Sequence, residues 1–440
     1  MVYSKIEKLL ESKKTIFFMV FSICIYAAFK DSWKLLADIF QTLVLLLSFV
    51  FVAFRWDFFK KIKFLWLLPV ALILQVVSWY YSSIFYPDIA VESPKIGRLF
   101  ELFVFFFFAI WLKGKKEYIW AVLISFAIGS IFTLSQEGLL LNDILKGVSG
   151  VRVDFGYRNA QHGALIIGAS LLIALVYFSY IYKECNQHRA LFLCAGFFIL
   201  FYVTLLLIMQ TRQAILGVVV SLLCLAAYKL YINKKYTVKN CVFFLISFVS
   251  FLVVILSFDI VSSRLSSEAY IVTDYILKGD FDNIPYTSFG VRLNLWIESF
   301  LWIPESIFLG FGDGVEKYLI LESTRLPDTI VEEYRHIHSS YIATVLRFGL
   351  LGLTLCLLLL ILPVVEVLKF ENEVIYIKYI AVMFLGYWLF VNFFESFWYM
   401  KAGLWTYTVF MAGIYSIPLA IKYENYLSTL ERNNRLFSSE

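Results

Sequence analysis

Charge is scarce in this chain. Asp, Glu, Lys and Arg make up 16% of its 440 residues, where an average soluble domain has about a quarter. Catalytic signatures are missing too. There is no P-loop, no dinucleotide-binding glycine pattern, no HExxH and no G-x-S-x-G. No Asp-x-Asp or Asp-Asp pair offers a divalent-metal site in the segments read as external, so no metal and no cofactor are expected. The six cysteines form no CxxC pair and no Cys/His cluster, which leaves a zinc site or a disulfide framework without support. Internal repeats, Gly/Ser linkers and low-complexity tracts are absent. Basic residues line no groove, so nucleic acid is not an expected partner.

What is present is apolar. Hydrophobic residues account for 61% and aromatics for 19%, with 45 Phe, 28 Tyr and 11 Trp; mean hydropathy is +0.79. A water-soluble chain of this size could not hide that surface, which excludes an ordinary cytosolic enzyme, a disordered protein and a fibrous repeat. An enzyme working at a membrane surface stays allowed. With about 20 mainly apolar residues per crossing, twelve spans are expected, near 15–29, 35–54, 64–85, 98–112, 118–134, 163–182, 190–209, 213–232, 241–258, 340–364, 379–398 and 401–420. Lys and Arg alternate from loop to loop. Arg55, Lys60, Lys61, Lys63, Lys113, Lys115, Lys116, Lys183, Arg189, Lys234, Lys235, Lys239, Lys369, Lys378 and Lys422 fall on one side, which the positive-inside rule makes cytoplasmic. Both termini are expected there, and the lysine-rich N-terminus reads as a retained first helix.

The expected organisation is an all-α integral membrane protein of about twelve transmembrane helices. Residues 1–258 hold helices 1–9, 259–339 form a large, net-acidic periplasmic loop with short helices, 340–420 hold helices 10–12, and 421–440 are a cytoplasmic tail. A loop that long within a compact body is usually functional.

Five places carry candidate chemistry. His338-Ser339, then nine residues, Gly349, two residues and Gly352, fall on one face if helical. That would set an imidazole above two small residues that admit a neighbouring helix. Imidazole takes protons near neutral pH; the competing reading is a surface histidine capping a helix. Arg212 sits between two apolar runs with almost no loop, facing phosphate or headgroups or snorkelling to the interface. Arg292 opens an amphipathic stretch, Leu293–Trp302, and reads as a phosphate contact or a solvated charge paired with Glu298. Arg158 stands just before a span and is either a further phosphate contact or an interfacial charge. Arg347 reads as a structural partner for an acid or polar group. Glu395, near the end of a span, could contact Arg347, orient His338 or bind a sugar hydroxyl.

These residues resemble the bacterial O-antigen ligase family, within the O-antigen ligase/polymerase superfamily. The family pattern is His, then Asn, Ser or Gln, nine residues, Gly, two residues, then Gly, Thr or Tyr; His338, Ser339, Gly349 and Gly352 match it. Arg212 in Thr211-Arg212-Gln213 and Arg292 in Phe289-Gly290-Val291-Arg292 look like the family's arginines, and Arg158 looks like a further diphosphate-contacting one. The resemblance implies a membrane glycosyltransferase of glycosyltransferase C-like fold in the bacterial inner membrane. It would transfer a glycan from undecaprenyl diphosphate to a sugar hydroxyl of lipid A-core at the periplasmic face, inverting and without metal. His338 would be the catalytic base, Arg212, Arg292 and Arg158 the diphosphate contacts, and Ser339, Gly349 and Gly352 the helix-packing motif. Related polymerases share this layout. A lipid-linked oligosaccharide flippase is the rival from another class. It should show paired halves and broken helices, and neither is legible here.

Overall fold

The computed structural model describes residues 8–136, 140–157, 159–184, 189–234, 268–370 and 374–437, and no strand occurs among them. The main helices are α1 (Lys13–Phe29), α2 (Lys34–Phe54), α3 (Leu67–Phe85), α4 (Val104–Leu112), α5 (Lys116–Leu134), α6 (Leu140–Val148), α7 (Ala160–Glu184), α8 (Arg189–Ile208), α9 (Arg212–Ile232), α10 (Ser288–Trp302), α11 (Val315–Glu322), α12 (Ser340–Leu368), α13 (Ile375–Val391) and α14 (Lys401–Phe437). Among the described residues, α2, α3 with its lead-in from Lys63, α5, α7, α8, α9, α12 and α14 are the eight helices long and apolar enough to cross a membrane. α1 and α13 have 17 residues each. The span expected at 241–258 lies outside the described residues, as does Arg158.

Apolar runs become helices here because a bilayer core offers no water to the backbone, so each N–H and C=O must be bonded within the chain. α1 to α3 leave Phe17, Phe18, Phe21, Leu46, Phe49, Ile73 and Tyr80 exposed, a surface suited to acyl chains. α4 does the reverse. All nine of its residues are buried, and it packs on α2 and α14. Residues 98–112, expected as one span, are broken into a helical turn at Gly97–Phe100, a 3-10 turn at Glu101–Phe103, and α4. The run of four Phe at 105–108 fills the protein interior, with Phe105 and Phe106 against Tyr415 on α14. On the other side of the bundle, Tyr387 of α13 seats its ring against Gly168 of α7 and Gly217 of α9, where an added Cβ would strike it. Its hydroxyl donates to the Leu165 carbonyl at 3.0 Å.

The feature that shapes the site is a break in α12. Gly349 has φ 63° and ψ −167°, which interrupts the helix and which side-chain-bearing residues rarely adopt. The chain from 306 to 312 runs across the gap. Leu350 N–H donates to the Ile307 carbonyl at 2.8 Å, and Phe311 and Gly312 N–H donate to the Leu346 and Arg347 carbonyls at 2.7 and 2.9 Å. A side chain at Gly349 would collide with the Phe308 carbonyl, and one at Gly352 with the Phe348 side chain of the same helix. Two expectations are corrected here. Gly349 receives the loop's backbone and Gly352 a side chain of its own helix, neither of them a neighbouring helix, and α12 is a broken helix where none was expected. The single-face arrangement of His338, Gly349 and Gly352 fails with it, because the helix starts at Ser340 and is interrupted between them.

α13 also ends sooner than expected, at Val391 rather than 398. The Asn392 amide donates to the Trp388 carbonyl at 2.8 Å, and the Asn392 carbonyl accepts from Ser340 N–H at 2.9 Å. Residues 392–400 therefore leave the helix as turns. At the opposite end of the bundle α14 continues past 420 to Phe437, and ion pairs such as Arg55–Glu11 at 2.7 Å and Lys422–Glu366 at 2.6 Å occupy the lysine-rich side.

Candidate functional site

The break in α12 and the early end of α13 meet at one end of the bundle. Ser340 joins them: its hydroxyl donates to Asn392 Oδ1 at 2.5 Å and accepts from Trp398 N–H at 3.2 Å. Ser339, the motif serine, is buried as the N-cap residue and makes no side-chain cap bond. The turn held by Ser340 delivers Glu395 to two histidines. Glu395 Oε2 lies 3.0 Å from His338 Nδ1 and Oε1 lies 3.0 Å from His336 Nε2. Side-chain exposure is 0% for Glu395, 8% for His338 and 28% for His336. His338 holds φ +55°, just outside the helix. It is a buried residue with a carboxylate partner, not a surface cap.

The environments of the two imidazoles differ. Burial opposes ionisation of Glu395, but the hydrogen bonds and charges of both histidines hold its carboxyl well below the usual range. Burial also opposes protonation of His336, yet the bond and charge of Glu395 lift it above an ordinary histidine. For His338 burial wins. Its pKa is lowered despite Glu395, with the His336 and Arg292 charges adding to the effect. The arrangement therefore favours the charged form of His336 and the neutral form of His338. With Nδ1–H donated to the carboxylate, His338 Nε2 keeps its lone pair for a proton. The ligand atoms of the three residues lie within 4.8 Å of one another, close enough to chelate a cation. The carboxylate is also held by the protein around it: Oε1 accepts from Ser396 N–H at 3.0 Å and Oε2 from the Asn159 side-chain amide at 3.3 Å.

A cavity of about 450 Å³ opens beside this cluster, lined among others by Arg152, Gln161, Arg212, Gln213, Glu268 and Arg292. Arg212 is the first residue of α9, after a turn in which Gln210 takes φ +50°. The unpaired N–H groups of that helix end add positive potential beside the guanidinium. Its Nη1 pairs with Glu268 Oε2 at 2.8 Å. Arg292 lies in the first turns of α10, whose N-cap Thr287 accepts from Gly290 N–H at 3.2 Å. Its Nη1 donates to the Ser288 carbonyl at 3.2 Å, while its buried Nε has no hydrogen-bond partner among the described residues. Burial pulls the Arg292 pKa below its ordinary value, with Glu395 and Glu268 acting the other way. The expected pairing with Glu298 does not occur: Glu298 is buried, and its Oε2 has no partner among the described residues.

Gln161 connects cavity and cluster. In the amide orientation that satisfies its neighbours, its nitrogen donates to Glu395 Oε2 at 3.0 Å and its oxygen accepts from Arg292 Nη2. His338, Glu395, Gln161 and Arg292 thus form one continuous polar path.

Arg347 stands apart from it. Its Nε donates to Glu316 Oε1 at 2.6 Å and its Nη1 to Asp313 Oδ1 at 2.5 Å, and it lies 4.4 Å from the Tyr399 ring centre. The other Glu316 oxygen accepts Ile337 N–H at 2.8 Å. Arg347 is a structural residue, holding the loop acids that hold the backbone beside His338, and Glu395 is the partner of His338 rather than of Arg347.

The structure therefore brings together Arg212, Arg292, His338 and Glu395, which sequence reasoning had singled out for possible chemistry. Arg152, Gln161, Glu268 and His336 were missed as site residues. His336 had one available signal, its place two residues before His338 in an exposed-to-buried turn. Arg152 and Gln161 showed only as polar residues ahead of a span.

A helical bundle built for a bilayer, with an arginine-lined cavity beside a buried histidine–carboxylate pair, defines a multi-pass membrane protein with a polar site at one end of its helices. Residues 195–357 match the family model described as O-antigen ligase. The matched segment includes Arg212, Arg292, His338, Gly349 and Gly352. No curated protein matches the chain.

Proposed function

We propose that the chain is an O-antigen ligase. It transfers a glycan from undecaprenyl diphosphate to a sugar hydroxyl of lipid A-core at the periplasmic face of the inner membrane, inverting the anomeric carbon without a metal ion. The observation that carries this reading is the polar path from His338 through Glu395 and Gln161 to Arg292, ending in a cavity that Arg152 and Arg212 also line.

The chemistry follows from the charges. His338 Nε2 takes the proton of the acceptor hydroxyl as its oxygen attacks the sugar carbon. Glu395 holds the imidazole by Nδ1 and stabilises the cation that forms. The bond from that carbon to the diphosphate oxygen breaks with its electron pair staying on the leaving group. Arg212 and Arg292 meet the growing negative charge in a site shielded from water, where a charged donor is worth most. The buried Nε of Arg292 is a donor available to a phosphate oxygen. Arg158 is proposed as a further diphosphate contact on the resemblance alone.

Purified protein with both lipid substrates and no added metal tests the assignment. Near-normal transfer by His338→Ala or by Arg212→Ala overturns it. In cells lacking the chain, ligase function predicts loss of all capping and accumulation of long lipid-linked glycan; retained single-repeat capping would mark a polymerase.

A further inference from the structure

One lining group of the cavity has no part in the transfer just described. Glu268 points a carboxylate among the arginines. Its Oε2 pairs with Arg212 at 2.8 Å, and its Oε1 accepts Phe289 N–H at 3.4 Å, on the helix that carries Arg292. Its side chain is 11% exposed. A site evolved only to grip anions gains nothing from a desolvated carboxylate, because like charges across a few ångströms oppose binding. Arg152, Arg212, Arg292 and Glu268 are the charged residues lining the cavity, so the described lining carries two net positive charges.

That charge fits one form of the ligand better than the other. A glycan joined to a lipid through diphosphate is a diester, with one negative charge on each phosphate. Transfer breaks the bond from sugar carbon to phosphate oxygen and forms the bond from that carbon to the acceptor oxygen. The acceptor proton goes to His338, and the lipid diphosphate leaves as a monoester carrying one more negative charge when ionised. Resting on the glycosyl-transfer reading above, we propose that Glu268 is a specificity residue. It matches the cavity to the diphosphate diester substrate and drives out the more highly charged monoester product. Its cost is some opposition to the charge that grows on the leaving oxygen, and its gain is turnover.

The test measures binding of two soluble probes to the purified full chain in detergent: geranyl diphosphate, a monoester, and geranyl diphosphate linked to a hexosamine, a diester. Glu268→Gln should tighten the monoester by about tenfold and the diester by no more than about threefold, since the additional charge feels the lost repulsion most. Glu268→Asp, which keeps the charge, should keep the wild-type ratio. In turnover, Glu268→Gln should lower the steady-state rate while the single-turnover rate holds or rises. Equal tightening of both probes, no change in either, or loss of the wild-type ratio in Glu268→Asp overturns the role of Glu268. Failure of the wild-type protein to bind either probe instead overturns the reading of the cavity as a diphosphate site, and this proposal with it.

Discussion

Two buried charge clusters lie within a few residues of each other at the start of α12, and they are built oppositely. In one, Arg347 is closed in by Asp313, Glu316 and the Tyr399 ring. In the other, Glu395 spends its oxygens on His336 and His338, and its neighbours open through Gln161 onto a cavity. Glu316 touches both, through Arg347 and through Ile337 N–H. The closed cluster has little left to offer a ligand. The open one keeps a lone pair on His338 and, on Arg292, an Nε with no hydrogen-bond partner among the described residues. A buried charge thus marks a functional site only where its partners leave some bonding capacity over.

Breaking the open cluster should hurt catalysis most. His338→Ala should lower transfer by about 10²–10⁴-fold, the usual contribution of a positioned acid–base group, while unfolding in detergent stays near wild type. Arg347→Met should do the converse. Leaving Glu316 without its cation, and Asp313 with Arg98 alone at 3.3 Å, should cost about 3–5 kcal/mol of stability, read as a lower thermal midpoint. Gly349→Ala tests the scaffold between them. Its strained backbone and the collision with Phe308 should cost about 1–3 kcal/mol and loosen the loop at 306–312, seen as faster proteolysis. The finest probe is pH. The His338 pKa lies below that of an ordinary histidine, so the neutral base persists on acidification and activity should fall only below about pH 6.5. His336→Gln removes a neighbouring positive charge and makes His338 easier to protonate. The acid limb should then move upward by less than about one pH unit, measured as kcat/KM against pH. An unmoved limb would mean that His336 does not carry the charge assigned to it.

Much of the membrane layout was legible, because crossing a bilayer demands long apolar runs and little else imitates them. Arg212 was legible for the same reason, as a charge with no loop to hide in. The failures have physical causes. Hydropathy cannot tell an unbroken crossing from a broken, buried one, so residues 98–112 read as one span although every residue of α4 is buried. A glycine pair in an apolar helix reads as packing, while here Gly349 is needed for a positive φ that no periodicity reveals. Glu395 was placed within a span because the helix-ending bonds of Asn392 and Ser340 are tertiary. Glu268, Arg152 and Gln161 come from three separate stretches of chain, and only folding brings them to one cavity.

The crossing of the loop over the break has a consequence for motion. Amide protons of Phe311, Gly312 and Leu350 are held by bonds between loop and helix rather than by either alone. Loop and helix should therefore open as one cooperative unit, and deuterium should enter these three positions together, slowly, in a segment that its sequence would class as an exposed connection.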